Sequence, residues 1–346
     1  MPNKIKAACF SLDPPHEGCA VIRLINPLAR LADEIEAYWA IEWRNDVPVT
    51  RMEDLAGMDL FIFTRMFAHP YTQPLIEQIL DSGKPTIYET DDLLTDLPSD
   101  SVYTPYRNLL CELISRCSAV TVSTEELRKA YLRYNRNIYI LPNLLNEKCW
   151  FADDPAQERG TGNRVITIGY AGSTSHRDDL ALVEEALLQI ADKWKERVTF
   201  KFLGCAPPKF RQCTNVVVHD AFVGYGKYPS ALGSLGLDIG IAPLVDNPFN
   251  RCKSNQKWLE YSACGIAGVY SDLPPYSDSV VNGRTGILVA NTTEAWFQAI
   301  DSLVANKQGR TAMAKAAYDE VRKRFTFGAG IQQYLDVYRK LAANRA

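Results

Sequence analysis

Short apolar runs recur along the chain, each closed by glycine, proline or a polar turn. In the second half these runs are VITIGYAG (165 to 172), VTFKFLG, NVVVHD, LDIGIAPL, GIAGVYSD and TGILVA, with helical segments between most of them. DDLALVEEALLQIADKW carries apolar residues at helical spacing behind an aspartate pair suited to a helix N-terminus. Near-continuous apolar strands alternating with helices mean a parallel sheet covered on both faces. The fold class is therefore α/β, of the doubly wound kind.

The first half repeats the theme less cleanly. KIKAACFSL, DLFIFTR, KPTIYET, SAVTVST and IYILPN read as strands, and LINPLARLADEIEAYW, QPLIEQILDSG and TEELRKAYLRY as helices. EKCWFADDPAQERGTGN is polar, contains proline and two glycines, has no periodicity, and reads as an interdomain linker. The expected organisation is an N-terminal domain over 1–150, a linker over 151–163, a second domain over 164–325 and a C-terminal helical segment over 326–346. Two doubly wound domains place ligands beyond the carboxyl ends of their strands, in a central crevice, so function is sought in the loops that follow strands.

At 346 residues the chain suits two domains, and 47% hydrophobic with 23% charged residues describes a globular protein. No apolar run approaches the roughly 20 residues that span a bilayer, and the N-terminus lacks a secretory pattern. Nine scattered cysteines without a C-x-x-C pair argue against a disulfide framework and a structural zinc site, so a cytoplasmic setting is expected. A net charge of -3 supplies no basic field for nucleic acid. Arg128, Lys129, Arg133 and Arg136 form one local basic stretch, either a solvated helix face or a peripheral contact with anionic headgroups at the inner face of a membrane.

KSNQKWLEYSACG (253 to 265) follows a strand and ends at glycine. Ser254 suits an N-cap and Gly265 the position past the C-terminus, leaving about three turns of helix between them. Lys253, Lys257 and Glu260 are spaced i, i+4 and i+7, which puts them on one face spanning roughly 10 Å. Two ammonium groups at a helix N-terminus suit a diphosphate, and a carboxylate one turn on suits the two hydroxyls of a ribose. That is a ruler for a nucleoside diphosphate. The alternative is an exposed Lys257 to Glu260 pair worth a few tenths of a kcal/mol.

The motifs then carry a resemblance. EYSACGIAGVYSD resembles the E-A-x-A-x-G-x-P-V-V-x-S segment of family 4 glycosyltransferases of the GT-B fold, and NGRTGILV their N-G-x-T-G-x-L-V. VTVSTEEL with YILPNLLN, IGYAGSTSHRDDLALVEEAL, and RFTFGAGIQQYLDVYRKL resemble further segments in the same order, most strongly from about residue 118 onward. The resemblance implies two Rossmann-like domains and a C-terminal helix returning to the first. It also implies sugar transfer from a nucleotide-diphosphate donor to a glycan, glycolipid or protein acceptor, with retention, with no cofactor or metal beyond the donor, in surface polysaccharide or glycoconjugate synthesis.

Carried over by position, Glu260 matches the ribose-binding second glutamate of the family's E-x7-E motif. Cys252 stands where the first glutamate would be, and a thiol cannot replace a carboxylate facing sugar hydroxyls. Asp246, Asn250 and Arg251 are candidates to fill in on the donor sugar, or are turn-forming residues. Gly172 and Ser173 offer backbone N-H groups to the diphosphate, and Arg177 matches the lysine that the family places there. His176 contacts phosphate or caps its helix. His219 lines the base pocket with Phe222 and Val223, or simply ends its strand.

In the first domain KPTIYETDD resembles the family stretch that ends a strand in His-Asp near the reaction centre. Here Asp91 and Asp92 take that place, as base, as acceptor ligand, as a divalent-ion site beside Glu89, or as the start of a helix. His69, with Arg65 beside it, is a further catalytic candidate. PPHEGCAVIRL occupies the place of the family's first glycine-rich loop, making His16, Gly18 and Arg23 acceptor-side candidates. Two rivals stand beside this reading. One is a non-catalytic nucleotide-sugar binder; the other is a nicotinamide-dependent oxidoreductase, disfavoured because no G-x-G-x-x-G follows the first strand.

Overall fold

A computed structural model describes residues 4–44, 47–50, 55–97, 101, 103–151, 165–212, 216–219 and 224–343. The chain folds into two compact units. One comprises Met1–Leu144, Cys252–Ser254 and Phe327–Ala346, the other Leu145–Arg251 and Asn255–Thr326.

In the first unit the strands are β1 (Ile5–Phe10), β2 (Ile35–Trp39), β3 (Glu42–Arg44), β4 (Val47–Val49), β5 (Leu60–Thr64), β6 (Thr86–Thr90), β7 (Ala119–Val122) and β8 (Ile138–Ile140). Six of them form a parallel sheet in the order β2-β1-β5-β6-β7-β8, and β3 pairs antiparallel with β4. The order reverses between β1 and β5, the switch point at which such sheets bind ligands. LINPLARLADEIEAYW is not one helix as expected. Its α-helix ends at Arg30, and Ile35–Trp39 becomes β2, with Ile35 paired to Ile5. Alternating IEAYW suits a sheet edge better than a helix end. The helix Phe327–Ala343 contributes Phe327, Tyr334, Leu335, Tyr338 and Leu341 to the core that also holds Leu24, Leu28 and Ile62.

The second unit holds β9 (Ile166–Gly172), β10 (Val198–Gly204), β11 (Val216–His219), β12 (Ile239–Ala242), β13 (Ala267–Ser271) and β14 (Ile287–Val289). They pair in parallel in the order β11-β10-β9-β12-β13-β14. This is the doubly wound dinucleotide-fold order, with the switch point between β9 and β12. The strands read as continuous apolar runs because both faces are covered: Ile168, Phe200, Phe202, Ile239, Ile241 and Val269 are fully buried. Strand β12 carries Gly240 where the helix behind it comes closest, and a Cβ there would lie 2.6 Å from the Tyr261 ring. The linker expected over 151–163 lies outside the described residues apart from Phe151, and the first stretch of the first unit runs to Leu144.

Candidate functional site

The helix announced by KSNQKWLEYSACG runs Gln256–Ala263, capped by Asn255 without a side-chain bond. It is anchored on its inner face by Trp258, whose Nε1 donates to Thr285 O at 3.0 Å, and by Tyr261, whose hydroxyl donates to Ile241 O at 3.0 Å. Gln256, Lys257 and Glu260 occupy another face. Glu260 is 2% exposed. Its Oε2 accepts from Lys257 Nζ at 2.8 Å and from the Tyr228 hydroxyl at 2.9 Å, and its Oε1 accepts from Gln256 Nε2 at 3.0 Å. Lys257 also donates to the Tyr228 hydroxyl at 3.1 Å and lies over the rings of Tyr170 and Tyr228. The exposed-pair alternative is thereby excluded: a carboxylate this deep, in a charged cluster, sits in low dielectric.

Lys253 does not share that face. It precedes the helix, in the irregular Cys252–Ser254 segment that packs with the first unit. Ser254 is not the N-cap, because its hydroxyl accepts from Asn143 Nδ2 at 3.0 Å. Of the three, Lys257 and Glu260 lie on the helix itself.

Sequence reasoning passed over the aromatic wall behind Glu260. Tyr225 and Tyr228 stack with centroids 5.8 Å apart, Trp150 meets the Tyr228 ring edge-on at 5.9 Å, and the Tyr225 hydroxyl accepts from Gln256 at 3.3 Å. The i, i+3 tyrosine spacing in YGKYP was visible, but its partners lie far away in the chain.

Beside the switch point, Gly172 ends β9 next to Gly204 of β10. A Cβ on Gly204, whose φ is +84°, would lie 2.4 Å from Gly172 O, so the strand ends approach too closely for any side chain. Ser173 is exposed, its hydroxyl 2.6 Å from that of Ser175, and Arg177 is exposed at the start of the helix Arg177–Ala181.

Asn250 is engaged inside the second unit. It is buried, with its amide donating to Asp179 Oδ1 at 2.9 Å and Val245 O at 2.9 Å. Asp179 also accepts from Val245 N at 2.7 Å and pairs with His176 Nδ1 at 2.8 Å. That network ties the loop after β12 to the helix after β9 and gives His176 the role of a local brace. Arg251 is spent on Asp246 in an exposed bidentate pair, at 2.5 and 2.7 Å. His219 is exposed at the end of edge strand β11, while Phe222 and Val223 lie outside the described residues.

In the first unit the acids gather around Arg65. Its Nη1 donates to Asp91 Oδ1 at 2.9 Å and to Asp92 Oδ2 at 2.7 Å, and its Nε lies 3.1 Å from Asp13 Oδ2. Arg65 has φ +46°, a left-handed conformation rare for a side-chain-bearing residue, directly after β5 at the switch point. Burial, then repulsion from Asp92, raises the Asp91 carboxyl above the usual range, with Arg65 opposing. Cys19 Sγ and carboxylate oxygens of Asp91 and Asp92 lie within 4.8 Å of one another, the one such potential cation-binding group among the described residues. Burial holds the Cys19 thiol far above its ordinary pKa, as a neutral group.

Arg23 is engaged inside the first unit. It is 2% exposed, and its Nε donates to the equally buried Glu89 at 2.7 Å. Its Nη1 donates to Leu141 O at 2.6 Å, Asn143 Oδ1 at 2.7 Å and the Tyr334 hydroxyl at 3.2 Å. Thr121 donates to the other oxygen of Glu89. Arg23 and Glu89 therefore fasten the C-terminal helix to the sheet, and Glu89 does not join the Asp91 cluster as a third free acid. His16 is exposed in the turn before the short helix that Gly18 begins. His69 packs between Tyr71 and Tyr106, with no contact to Asp91 or Asp92 among the described residues. Arg128, Lys129 and Arg133 pair with Glu125, Glu126 and Asp96, as a solvated face does. No helix among the described residues is long and apolar enough to cross a membrane.

A family model described as glycosyl transferase-like matches residues 178–336. Over 92 residues the chain is 36% identical to the α-maltose-1-phosphate synthase of Mycolicibacterium smegmatis, a match covering 25% of this chain and about a quarter, 24%, of that protein. Among solved structures, the fold is similar to sucrose-phosphate synthase from Thermosynechococcus elongatus (TM-score 0.72, 15% identity, 99% of this chain and 100% of that one). It is also similar to Anabaena HepE in complex with UDP and glucose (TM-score 0.68, 14% identity, 98% and 100%). Residues 178–336 thus match a glycosyl transferase-like model, within a chain whose two parallel six-stranded sheets have the GT-B fold.

Proposed function

We propose that this chain is a glycosyltransferase that takes a sugar from a nucleoside-diphosphate donor held by its second unit. The observation that carries the reading is the buried Lys257–Glu260 pair, 2.8 Å apart in the first turns of a helix without a side-chain cap. Ribose hydroxyls would replace Tyr228 and Gln256 as donors to Glu260, exchanging hydrogen bond for hydrogen bond. Lys257, the first-turn N-H groups of the helix and the backbone around Gly172 and Ser173 would receive the diphosphate, with Arg177 beside them. UDP in the structure of HepE, a protein of similar fold, supports a nucleotide ligand of this class.

The first unit, in this reading, serves the acceptor, a hydroxyl on a glycan, glycolipid or protein. Asp91 would accept the proton of that hydroxyl, burial and the neighbouring Asp92 having made its carboxylate more basic than usual. Departure of the nucleoside diphosphate leaves charge on its outer phosphate, and Lys257 stabilises it electrostatically. Retention of the anomeric configuration, turnover without a metal or other cofactor, and a cytoplasmic role in surface glycan synthesis belong to the same proposal on the strength of the family resemblance. A second reading, nucleotide-sugar binding without transfer, is favoured by Cys252 standing buried in place of a glutamate.

Thermal denaturation in the presence of UDP, GDP, dTDP or NAD tests the first step, since a ligand of the folded state raises the melting temperature by linkage. A rise with one nucleoside diphosphate is expected; stabilisation by NAD alone sinks the proposal. Sugar transfer from the cognate donor separates the two readings.

A further inference from the structure

An aromatic group on the first unit lies outside the machinery described so far. The His69 ring centroid is 3.7 Å from that of Tyr71 and 4.2 Å from that of Tyr106, with interplanar angles of 46° and 58°. Tyr71 is 53% exposed and the nearby Tyr103 46%. These are the exposed large apolar side chains of residues 60–110, and no aliphatic one accompanies them among the described residues of that stretch.

The group is built on firm backbone. Buried Thr72 accepts from His69 N at 3.0 Å and donates back to His69 O at 3.0 Å, and the N-H groups of Thr72 and Gln73 also bond His69 O. Tyr71 N donates to His69 Nδ1 at 3.5 Å. Tyr106 stands in the turn before Arg107, whose Nε donates to Thr95 O and so ties that turn to the segment following Asp91 and Asp92. At the other end, the turn Arg65–Phe67 joins His69 to the residue that clamps those two acids. The rings are thus fastened from both sides to the cluster at the switch point of the sheet.

We propose that His69, Tyr71 and Tyr106 form a stacking platform for a pyranose ring of a glycan acceptor. A hexose offers an apolar C-H face ringed by hydroxyls. Rigid aromatic rings with hydroxyl and imidazole groups at their edges match both parts, at low conformational cost. Among the described residues of 60–110 no large aliphatic side chain is exposed, so this is not the surface that would sink into lipid acyl chains. Partial burial lowers the pKa of His69, leaving a neutral imidazole that suits an uncharged sugar. The proposal rests on the glycosyltransferase reading and narrows its acceptor to a carbohydrate-bearing one.

The test applies the full chain to a printed array of neutral hexose, N-acetylhexosamine and deoxyhexose oligosaccharides, with UDP and GDP affinity measured in parallel. Retention of at least one glycan is expected, reduced about tenfold or more by Tyr71→Ala with Tyr106→Ala and largely kept by Tyr71→Phe with Tyr106→Phe, with nucleotide affinity unchanged. An array that stays blank while a nucleotide binds, or glycan retention that the alanine pair leaves intact, overturns the platform. Binding to vesicles of phosphatidylcholine and phosphatidylglycerol in place of glycans also overturns it. Glycan retention lost in the alanine pair, together with no nucleotide binding in any variant, upholds the platform and refutes the donor reading instead.

Discussion

Lys257 Nζ lies 2.8 Å from Glu260 Oε2, and the carboxylate is 2% exposed although its helix starts at the end of a loop. Removing one member leaves the other charge in a poorly hydrated place. Glu260→Ala is expected to lower unfolding stability by about 2 kcal/mol, discounted from a fully buried pair because Lys257 keeps some access to water. Urea titration of Glu260→Ala, Lys257→Met and the double variant should give a coupling well above the few tenths of a kcal/mol typical of exposed pairs; additive losses would contradict the geometry.

Arg23 and Glu89 are both buried and bonded at 2.7 Å, and Arg23 reaches the Tyr334 hydroxyl of the C-terminal helix. Arg23→Met should cost about 3–5 kcal/mol, since it strands a buried carboxylate. Chemical denaturation measures the loss, and Arg23→Met with Glu89→Gln should recover much of it. If Arg23 instead bound acceptor, the single variant would keep its stability and raise KM.

Asp91 carries a raised pKa caused first by burial and then by Asp92, with Arg65 pulling the other way. An acid with a raised folded pKa holds its proton longer in the native state. Its contribution to stability is therefore full below the ordinary carboxylate pKa and declines as pH rises through the raised value. Replacing Arg65 by Met removes the opposing cation and pushes Asp91 higher still. The acid limb of the kcat/KM profile should move to higher pH in Arg65→Met, and a limb that stays in place would show that Asp91 is not the base.

Cys252 is buried, and its thiol is pushed up to about 11, by burial first and then by Glu126, Asp96 and Asp92. A glutamate there, as the resemblance would place one, would put a fourth acid beside these three. Cys252→Glu should lose about 2–4 kcal/mol, while Cys252→Ser should lose much less. Melting temperatures decide it, and an unchanged value for Cys252→Glu would mean that the position tolerates the carboxylate.

Strands such as β9 in VITIGYAG and β12 in LDIGIAPL were legible because they are continuous apolar runs closed by a turn. Strand β2 was hidden because EIEAYW continues an apolar spacing that also fits a helix. In the site, Lys257 and Glu260 were readable from local spacing alone. The helix begins at Gln256, after Lys253, and the Ser254 hydroxyl bonds Asn143, a partner far off in the chain that no local pattern reveals. The internal bonds of Arg23 and Asn250, and the place of Tyr228 beside Glu260, likewise depend on distant partners.

The central claim is that Glu260 holds the ribose of a nucleoside diphosphate. Calorimetric titration of the wild-type chain and of Glu260→Gln, which keeps the side-chain volume, with UDP and GDP tests it most directly. The wild type is expected to bind one nucleotide, with affinity weakened more than about tenfold in Glu260→Gln, the loss of a charge-assisted pair of hydrogen bonds. Equal affinity in the two proteins would contradict it.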